Sequence, residues 1–177
     1  MFERRGYHGA TTQDIAEELG IRQATLYYYF RSKEAALEQV CLLGVEIYVQ
    51  RAEAIAARKA SASERLRALI HNHLAPLSDQ PAYVRVFIRE RRYLPDDARH
   101  KVGKLARRYE TVFESVIKDG IKAGDFRRDA QPRLTALAVL GMCNAGTAWF
   151  GRDPKVTPAM LVDEFAKFAL EGLRATR

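Results

Sequence analysis

Two short helical patterns joined by a glycine lie within residues 11–30, and they constrain the fold more than any other part of the chain. Thr11 precedes Asp14 by three positions, which is the spacing of a side-chain cap at the start of a helix. Apolar residues then recur at helical spacing, and Gly20 can adopt the left-handed conformation that ends a helix. A second helix is predicted over residues 23–30. This arrangement is typical of a helix-turn-helix, whose second helix enters the major groove of DNA.

The second helix is polar and aromatic on its outer side. Leu26 and Phe30 are four residues apart, and we expect them to face inward together with Tyr27. Glutamine can hydrogen-bond to an adenine edge, and threonine or alanine can contact a thymine methyl group or a phosphate. Ser32 is expected to cap a third helix, whose N-terminal amides, together with Lys33, suit a phosphate. The side chains predicted to face outward are Gln23, Ala24, Thr25, Tyr28 and Tyr29.

About the first 45 residues resemble the DNA-binding signature of TetR (tetracycline-repressor type) regulators. The matching positions are Gly6-Tyr7, Thr11-Thr12, Ile15-Ala16, Leu19-Gly20, Leu26-Tyr27-Tyr28-Tyr29-Phe30 and Ser32-Lys33-Glu34. The resemblance implies an all-α fold, with a helix-turn-helix domain over 1–45 and a helical ligand-binding and dimerisation domain over 46–177. It also implies DNA contacts from Thr12, Gln13, Arg22, Gln23, Ala24, Thr25, Tyr28, Tyr29 and Lys33.

The chain departs from the family at its start. TetR regulators usually carry a longer helix before the position of Gly6, whereas residues 1–5 look like only the tail of that helix. Either the start codon has been assigned too late, or this copy lacks part of its DNA-binding core. The second alternative predicts a different function, a small-molecule-binding protein that no longer binds DNA.

The positive charge of the chain is not concentrated in residues 1–40, which contain the helix-turn-helix and are called the head below. The formal net charge is +7, yet residues 1–40 carry five lysines or arginines against six acidic residues. The excess lies in residues 85–108, with nine basic residues against three acidic ones. This segment is interpreted as a solvated helix surface, or as arginines that meet an anionic ligand or flanking DNA phosphates. A third hypothesis, a protein of the membrane surface, would use the same segment to bind anionic lipid.

The remainder of the chain reads as consecutive helices with clear starts. A long helix is expected from Lys33 to about residue 57, and Ser61, Pro81, Pro95, Pro132 and Thr157-Pro158 mark the later starts. Residues 134–151 contain no charged residue, but polar residues and glycines interrupt this run, so a membrane span is not predicted. A helix that is apolar on all sides must be covered on all sides.

A second copy of the chain would supply that cover. We expect a homodimer through helices 132–150 and 158–175, as the resemblance also implies. A two-fold dimer would place two recognition helices about 34–36 Å apart over a palindromic operator of double-stranded DNA. The resemblance then implies a cytoplasmic transcriptional repressor that a small apolar or amphipathic effector releases from DNA.

By resemblance, the effector pocket lies among helices equivalent to 64–78, 81–93 and 95–124 and is closed by helix 132–150. Residues 83–95 look like the corresponding part of regulators that respond to acyl-CoA thioesters. An apolar tunnel would take the acyl chain, and arginines would meet the CoA phosphates. The candidate ligand-binding residues are His73, Tyr83, Phe87, Arg91, Tyr109, Phe113, Asn144 and Trp149.

No pattern of catalytic residues is recognisable. His71 and His73 are two residues apart, so they point to different sides of a helix and cannot easily share a metal. The sequence has no zinc-ligand spacing, GxSxG motif or phosphate-binding loop. Cys41 and Cys143 lie in apolar surroundings and are expected to be reduced core residues. These observations predict neither an enzyme nor a bound metal or cofactor, and no signal peptide is visible.

Overall fold

The computed structural model describes residues 1–77 and 82–175, apart from the side chain of Ala148. These residues form α-helices joined by short loops and two 3-10 segments, and their only strand-like pairing is an isolated bridge between Phe126 and Arg174. The all-α prediction is therefore confirmed. The helices are α1 Phe2–Gly9, α2 Thr12–Glu18, α3 Gln23–Tyr29, α4 Lys33–Ala56, α5 Ala62–Leu74, α6 Ala82–Glu90, α7 Asp96–Ala123, α8 Pro132–Trp149 and α9 Pro158–Leu173.

Local hydrogen bonds explain why several helices begin where they do. The Thr11 hydroxyl accepts from the Asp14 amide at 3.1 Å, and the Asp14 carboxylate accepts from the Thr11 amide at 2.9 Å. Ser61 and Glu64 form the same reciprocal cap at the start of α5. At α9, the Thr157 side chain accepts from a backbone amide of the first turn. These starts agree with the sequence prediction.

The predicted helix over 81–93 is shorter in the structure and is followed by a second element. α6 spans Ala82–Glu90, and a 3-10 helix spans Arg91–Tyr93, while Pro81 lies outside the described residues. The chain tightens after Glu90, so Arg91 and Arg92 project from a 3-10 turn instead of continuing the α-helical register.

The first compact unit comprises Met1–Ile47 and Gln80–Ala106. Within it, α1 packs against α6, where Arg85 binds Glu3 at 2.7 Å and Glu90 accepts from the Tyr7 amide at 2.9 Å. α1 is broken at Gly6, whose φ of 67° is accessible mainly to glycine. α6 therefore lies in the same compact unit as α2 and α3, and the division into two domains after residue 45 stays a prediction.

The second unit comprises Tyr48–Asp79 and Arg107–Arg177, and α5 lies at its centre against α8 and α9. Its core contains large side chains that are almost completely buried, namely Leu66, Leu69, Ile70, Phe113, Val116, Ile117 and Phe126. Gly120 makes room for the Phe126 ring, because an added Cβ would overlap with it. Gly146 similarly lets α8 approach Phe165 of α9, where an added Cβ would lie 2.7 Å from the ring.

Candidate nucleic-acid interface and effector site

The α2–turn–α3 motif is anchored by a few small and apolar side chains. Ala16 of α2 and Leu26 of α3 are 2% and 1% exposed, respectively, so the two helices pack through these positions. Gly20 has a φ of 67° and ends α2 in the left-handed conformation. The predicted turn and the inward orientation of Leu26 are confirmed.

The opposite side of α3 faces outward along its whole length. Tyr28 and Tyr29 are 85% and 68% exposed, and their rings meet edge to face with centroids 5.3 Å apart. Other exposed residues on or beside this surface are Arg22, Gln23, Ala24 and Thr25. Aromatic and amide side chains held this far into solvent at the end of a short helix can reach base edges and phosphates.

Tyr27 does not face inward as predicted. Its ring is 46% exposed, and its hydroxyl lies 3.2 Å from the hydroxyl of Thr12 on α2. Thr12 in turn accepts a hydrogen bond of 2.9 Å from Gln23 Nε2. A chain of hydrogen bonds, Tyr27–Thr12–Gln23, therefore connects α2 with α3 at the outer surface. Because it engages the Gln23 amide nitrogen, it leaves the Gln23 carbonyl oxygen available to a base edge.

The structure places Lys33 otherwise than predicted. Its Nζ donates to the carbonyl oxygens of Tyr7 and Ala10 at 2.8 and 2.9 Å, and lies 4.3 Å from the centre of the Tyr7 ring. The Tyr7 hydroxyl donates to Glu34, and burial followed by this hydrogen bond raises the pKa of Tyr7 to about 12. The ammonium thus closes the end of α1 against the start of α4, and we withdraw it as a phosphate contact.

Gln13 is exposed on α2, where its Nε2 donates to Glu17 at 3.1 Å. The other acidic residues of the head are also engaged. Glu18 binds the amino terminus and Arg4, and Asp14 binds Arg5. Hydrogen bonds from Thr11, then the nearby Arg5, hold the pKa of Asp14 below its usual range. The remaining acidic residues pair as Glu3 with Arg85, Glu34 with Tyr7 and Glu38 with Lys101.

These contacts show which cations of residues 1–40 remain available to DNA. All six acidic residues of positions 1–40 have hydrogen-bonding or ionic partners, whereas Arg22 and Arg31 have no carboxylate partner among the described residues. Both flank α3 and are exposed. Sequence reasoning missed Arg31, because a count of charges does not reveal which carboxylates are already bound.

The basic segment 85–108 divides into two groups. Five of its cations bind carboxylates, as Arg85 with Glu3, Arg99 with Asp96, Lys101 with Glu38, Arg107 with Glu110 and Arg108 with Glu53. Arg89, Arg91, Arg92 and Lys104 are exposed and have no carboxylate partner in the described part of the chain. The guanidinium of Arg91 lies over the ring of Phe87 at 5.2 Å, and that of Arg92 lies over Tyr93 at 4.8 Å. A cluster of unpaired guanidinium groups beside a 3-10 turn suits a phosphate-bearing ligand.

Four of the predicted ligand-binding residues come together inside the second unit. His73 Nδ1 lies 3.2 Å from the Tyr109 hydroxyl, and His73 Nε2 lies 3.1 Å from the side-chain oxygen Oδ1 of Asn144. The Phe113 ring meets the His73 ring edge to face at 6.5 Å. Burial lowers the pKa of His73, so the imidazole is neutral at physiological pH and bridges the two partners.

The other predicted ligand-binding residues are not part of this cluster. Tyr83, Phe87 and Arg91 belong to α6 and the following 3-10 turn in the first unit. The Tyr83 ring packs close to Gly44, where an added Cβ would lie 3.2 Å from it. Trp149 ends α8 and is 39% exposed. Four of the eight residues thus lie together in the second unit, three belong to the first unit, and Trp149 lies at the end of α8.

Both cysteines are buried, as expected of core residues. Burial raises the pKa of the Cys41 thiol to about 11 and that of the Cys143 thiol to about 12. Across residues 1–77 and 82–175, no group of three or more His, Cys, Asp or Glu side chains could hold a metal ion. Within the same ranges, no helix has both the length and the apolar character needed to cross a membrane.

α8 and α9 present an apolar surface on the second unit. Leu134 and Phe168 are 59% and 73% exposed, and they line a groove of about 470 Å³ together with Met142. On the outer side of α8, Gly141 has open space where a Cβ would stand. Exposed apolar residues at this density are typical of a surface that a partner covers.

Comparison with known proteins matches both parts of the chain to one family. Residues 1–40 match the model described as bacterial regulatory proteins of the tetR family, and residues 59–173 match the tetracyclin repressor-like C-terminal domain. The N-terminal match covers α1, α2, α3 and the start of α4, so this part of the chain carries the DNA-binding domain of the family.

Individual relatives align over nearly the whole chain. The fatty acid metabolism regulator protein of Bacillus subtilis (strain 168) is 24% identical over 98% of this chain and 90% of its own length. The HTH-type transcriptional repressor KstR2 of Rhodococcus jostii (strain RHA1) is 22% identical over 98% of this chain and 85% of its own length. The crystal structure of FadR from Bacillus subtilis in complex with stearoyl-CoA is similar at a TM-score of 0.82, with 23% identity over 98% of this chain and 94% of that chain.

The exposed recognition helix, the left-handed glycine turn before it and the helical body that follows all agree with these matches. The chain belongs to the TetR family of ligand-responsive, DNA-binding transcriptional regulators.

Proposed function

We propose that the protein is a homodimeric repressor that an acyl-CoA thioester releases from a palindromic operator. The observation that carries this proposal is the outer side of α3, where polar and aromatic side chains are held in solvent by an anchored helix-turn-helix. Such a regulator acts on chromosomal DNA, so we infer that it works in the cytoplasm. The proposed DNA contacts are Thr12, Gln13, Arg22, Gln23, Ala24, Thr25, Tyr28 and Tyr29, to which we add Arg31.

The acyl-CoA class is supported by relatives and by the charges of this chain. One relative is a fatty acid metabolism regulator, and a solved FadR structure contains stearoyl-CoA. Because that structural likeness establishes the fold alone, the effector must be argued from residues of this chain. Arg89, Arg91 and Arg92 have no carboxylate partner among residues 1–77 and 82–175, and they can bind the phosphates of CoA.

The proposed dimer uses the exposed side of α8 and α9. Leu134 and Phe168 would be covered by the same helices of a second copy, and the open space at Gly141 allows a helix to approach closely. A symmetric pair presents two α3 helices to consecutive major grooves. The dimer would have two states, one whose heads fit the operator and one whose heads are spaced differently. An effector that binds the second state more tightly lowers the affinity for DNA, and its differential affinity for the two states sets the size of this effect.

A titration on selected DNA tests the proposal. Duplexes with a randomised centre would first be enriched on the protein, and the winning duplex would then be used in fluorescence anisotropy. We expect a palindromic winner, weaker binding with decanoyl-CoA or stearoyl-CoA, and no effect of free CoA or free fatty acid. The Tyr28→Ala variant should lose DNA binding while retaining acyl-CoA.

Three outcomes would contradict the proposal or a part of it. DNA affinity that stays unchanged across the acyl-CoA panel would remove this effector class. If no duplex is enriched while acyl-CoA still binds, the protein is a ligand-binding protein without operator activity. Binding that depends on anionic vesicles instead of DNA would favour the membrane-surface hypothesis.

A further inference from the structure

The side-chain amide of Gln23 is bound at its nitrogen and open at its oxygen. Gln23 Nε2 donates to the Thr12 hydroxyl at 2.9 Å, and the Thr12 hydroxyl lies 3.2 Å from that of Tyr27. The Gln23 side chain makes no other hydrogen bond among residues 1–77 and 82–175. Gln23 is exposed at the first residue of α3, so solvent and DNA can reach the amide. Its oxygen is therefore an available acceptor on the recognition surface.

The hydrogen bond to Thr12 determines which atom of the amide is presented to a base. The nitrogen is held towards α2, and the oxygen lies on the other branch of the planar amide group. The usual contact of glutamine to adenine uses both amide atoms along one edge of the base. A contact through the oxygen alone keeps the bond to Thr12 unchanged and makes no demand on the second N–H. Because the oxygen can only accept a hydrogen bond, it requires a donor on the DNA.

The bases differ in whether they offer a donor in the major groove. Adenine and cytosine carry exocyclic amino groups there, whereas the oxygens of guanine and thymine and the ring nitrogen of guanine accept hydrogen bonds. An acceptor held at a fixed place is attracted to the amino group of adenine or cytosine. The same acceptor meets the lone pairs of guanine or thymine and is repelled. The amide oxygen thus separates the four bases into amino bases and keto bases.

We propose that Gln23 selects an amino base, adenine or cytosine, over a keto base at one position of each operator half-site. The inference rests on the proposed function, since it assigns base chemistry to the DNA contact on α3. Thr12 and Tyr27 hold the amide, and the Gln23 oxygen contacts the base. The operator therefore tolerates exchange of adenine and cytosine at this position, and it rejects guanine and thymine.

Single-base variants of the enriched duplex, changed in both half-sites together, test this assignment. Their affinities would be measured by fluorescence anisotropy for the wild type and for Gln23→Met, which removes the amide but retains a similar length. At the position where the two proteins differ, we expect the wild type to prefer adenine and cytosine over guanine and thymine by at least fivefold. The same ratio for Gln23→Met should be close to 1. Gln23→Glu keeps an acceptor and should retain the preference, although its charge lowers the overall affinity.

Removal of the amino group from the DNA gives an independent measurement. Purine in place of adenine, or 2-pyrimidinone in place of cytosine, should weaken binding of the wild type at least fivefold and leave binding of Gln23→Met unchanged. The control variant Gln50→Met makes the same substitution on α4 within the second unit. It should match the wild type on every duplex.

Several results would overturn the assignment while the repressor proposal stands, because the enriched duplex is still bound. These are a Gln23-dependent preference for guanine or thymine, a Gln23-dependent preference for adenine over cytosine, and unaltered binding after removal of the amino group. A Gln23→Met variant that keeps the wild-type preference at every position would have the same meaning. If no duplex is enriched at all, the repressor proposal fails together with this inference.

Discussion

Single hydrogen bonds decide how the recognition surface is presented. Gln23 is exposed, so the packing of α3 does not orient it, and Thr12 on α2 binds its amide nitrogen instead. Tyr27 completes this arrangement from the other side. Thr12 therefore acts as a positioning residue for the base contact proposed for Gln23.

The Thr12→Val substitution should weaken base discrimination without unfolding the head. Valine matches the shape of threonine but cannot accept the Gln23 hydrogen bond, so the amide loses its fixed orientation. Loss of one hydrogen bond predicts a decrease of about 1 kcal/mol in preference at one operator position, roughly fivefold in affinity ratio. Competition binding with single-base variants of the selected duplex measures this ratio. Unaltered discrimination would show that Gln23 is oriented by DNA alone.

Variants of Lys33 and Arg31 should distinguish a side chain that stabilises the fold from a side chain that contacts DNA. The Lys33→Met variant loses two hydrogen bonds to Tyr7 and Ala10, so we expect a lower melting temperature with an unchanged salt dependence of DNA binding. Arg31→Ala should leave the melting temperature unchanged and reduce the slope of log K against log salt by about 1. A reduced slope in Lys33→Met would restore the phosphate contact predicted from the sequence.

His73 should make stability depend on pH. The folded state lowers its pKa below the usual 6.5, so above pH 6.5 both states are neutral and stability is fully present. As the pH falls from 6.5 towards the folded pKa, the unfolded chain takes up the proton first, and the free energy of unfolding decreases. Urea denaturation at pH 7.5 and pH 5 should show a smaller difference for His73→Gln than for the wild type. The exposed His71→Gln is the matched control and should behave as the wild type.

Individual helices were predicted from the sequence more completely than the contacts between them. Local capping residues determine the starts of α2, α5 and α9, so these starts could be predicted from Thr11, Ser61 and Thr157. The side on which Tyr27 lies depends on a hydroxyl from another helix, and periodicity alone placed it inward. The role of Lys33 depends on carbonyl groups at the end of α1, which no local pattern encodes. What the sequence could not reveal were contacts between elements distant along the chain.

Glycines within α7 offer a test of packing at this scale. A Cβ at Gly120 would overlap with the Phe126 ring and approach Ala62, whereas one at Gly103 would meet nothing within 4 Å. Gly120→Ala should therefore destabilise the protein by about 1–3 kcal/mol through overpacking. Gly103→Ala should stabilise it by about 0.5–1 kcal/mol, since alanine is the better helix former. Chemical denaturation of both variants gives the comparison, and equal effects would show that Phe126 can move aside.

For the whole molecule, function requires two copies. The proposed dimer interface is the apolar surface of α8 and α9. Phe168 is the most exposed large apolar side chain on this surface. We expect Phe168→Glu to dissociate the dimer and to weaken operator binding at least tenfold, because each head then binds alone. Lys167→Glu is the matched control, because it introduces a glutamate at the neighbouring position of α9. This variant should remain dimeric in sedimentation velocity. A dimeric Phe168→Glu variant would place the interface elsewhere.

The paired carboxylates of the head have a wider consequence. Glu3 is neutralised by Arg85, which lies on α6, far along the chain from the helix-turn-helix. DNA that approaches the head thus meets a surface whose positive electrostatic potential depends partly on Arg85 of α6. Evolution can adjust attraction to the genome by altering Arg85, without touching any side chain that reads bases.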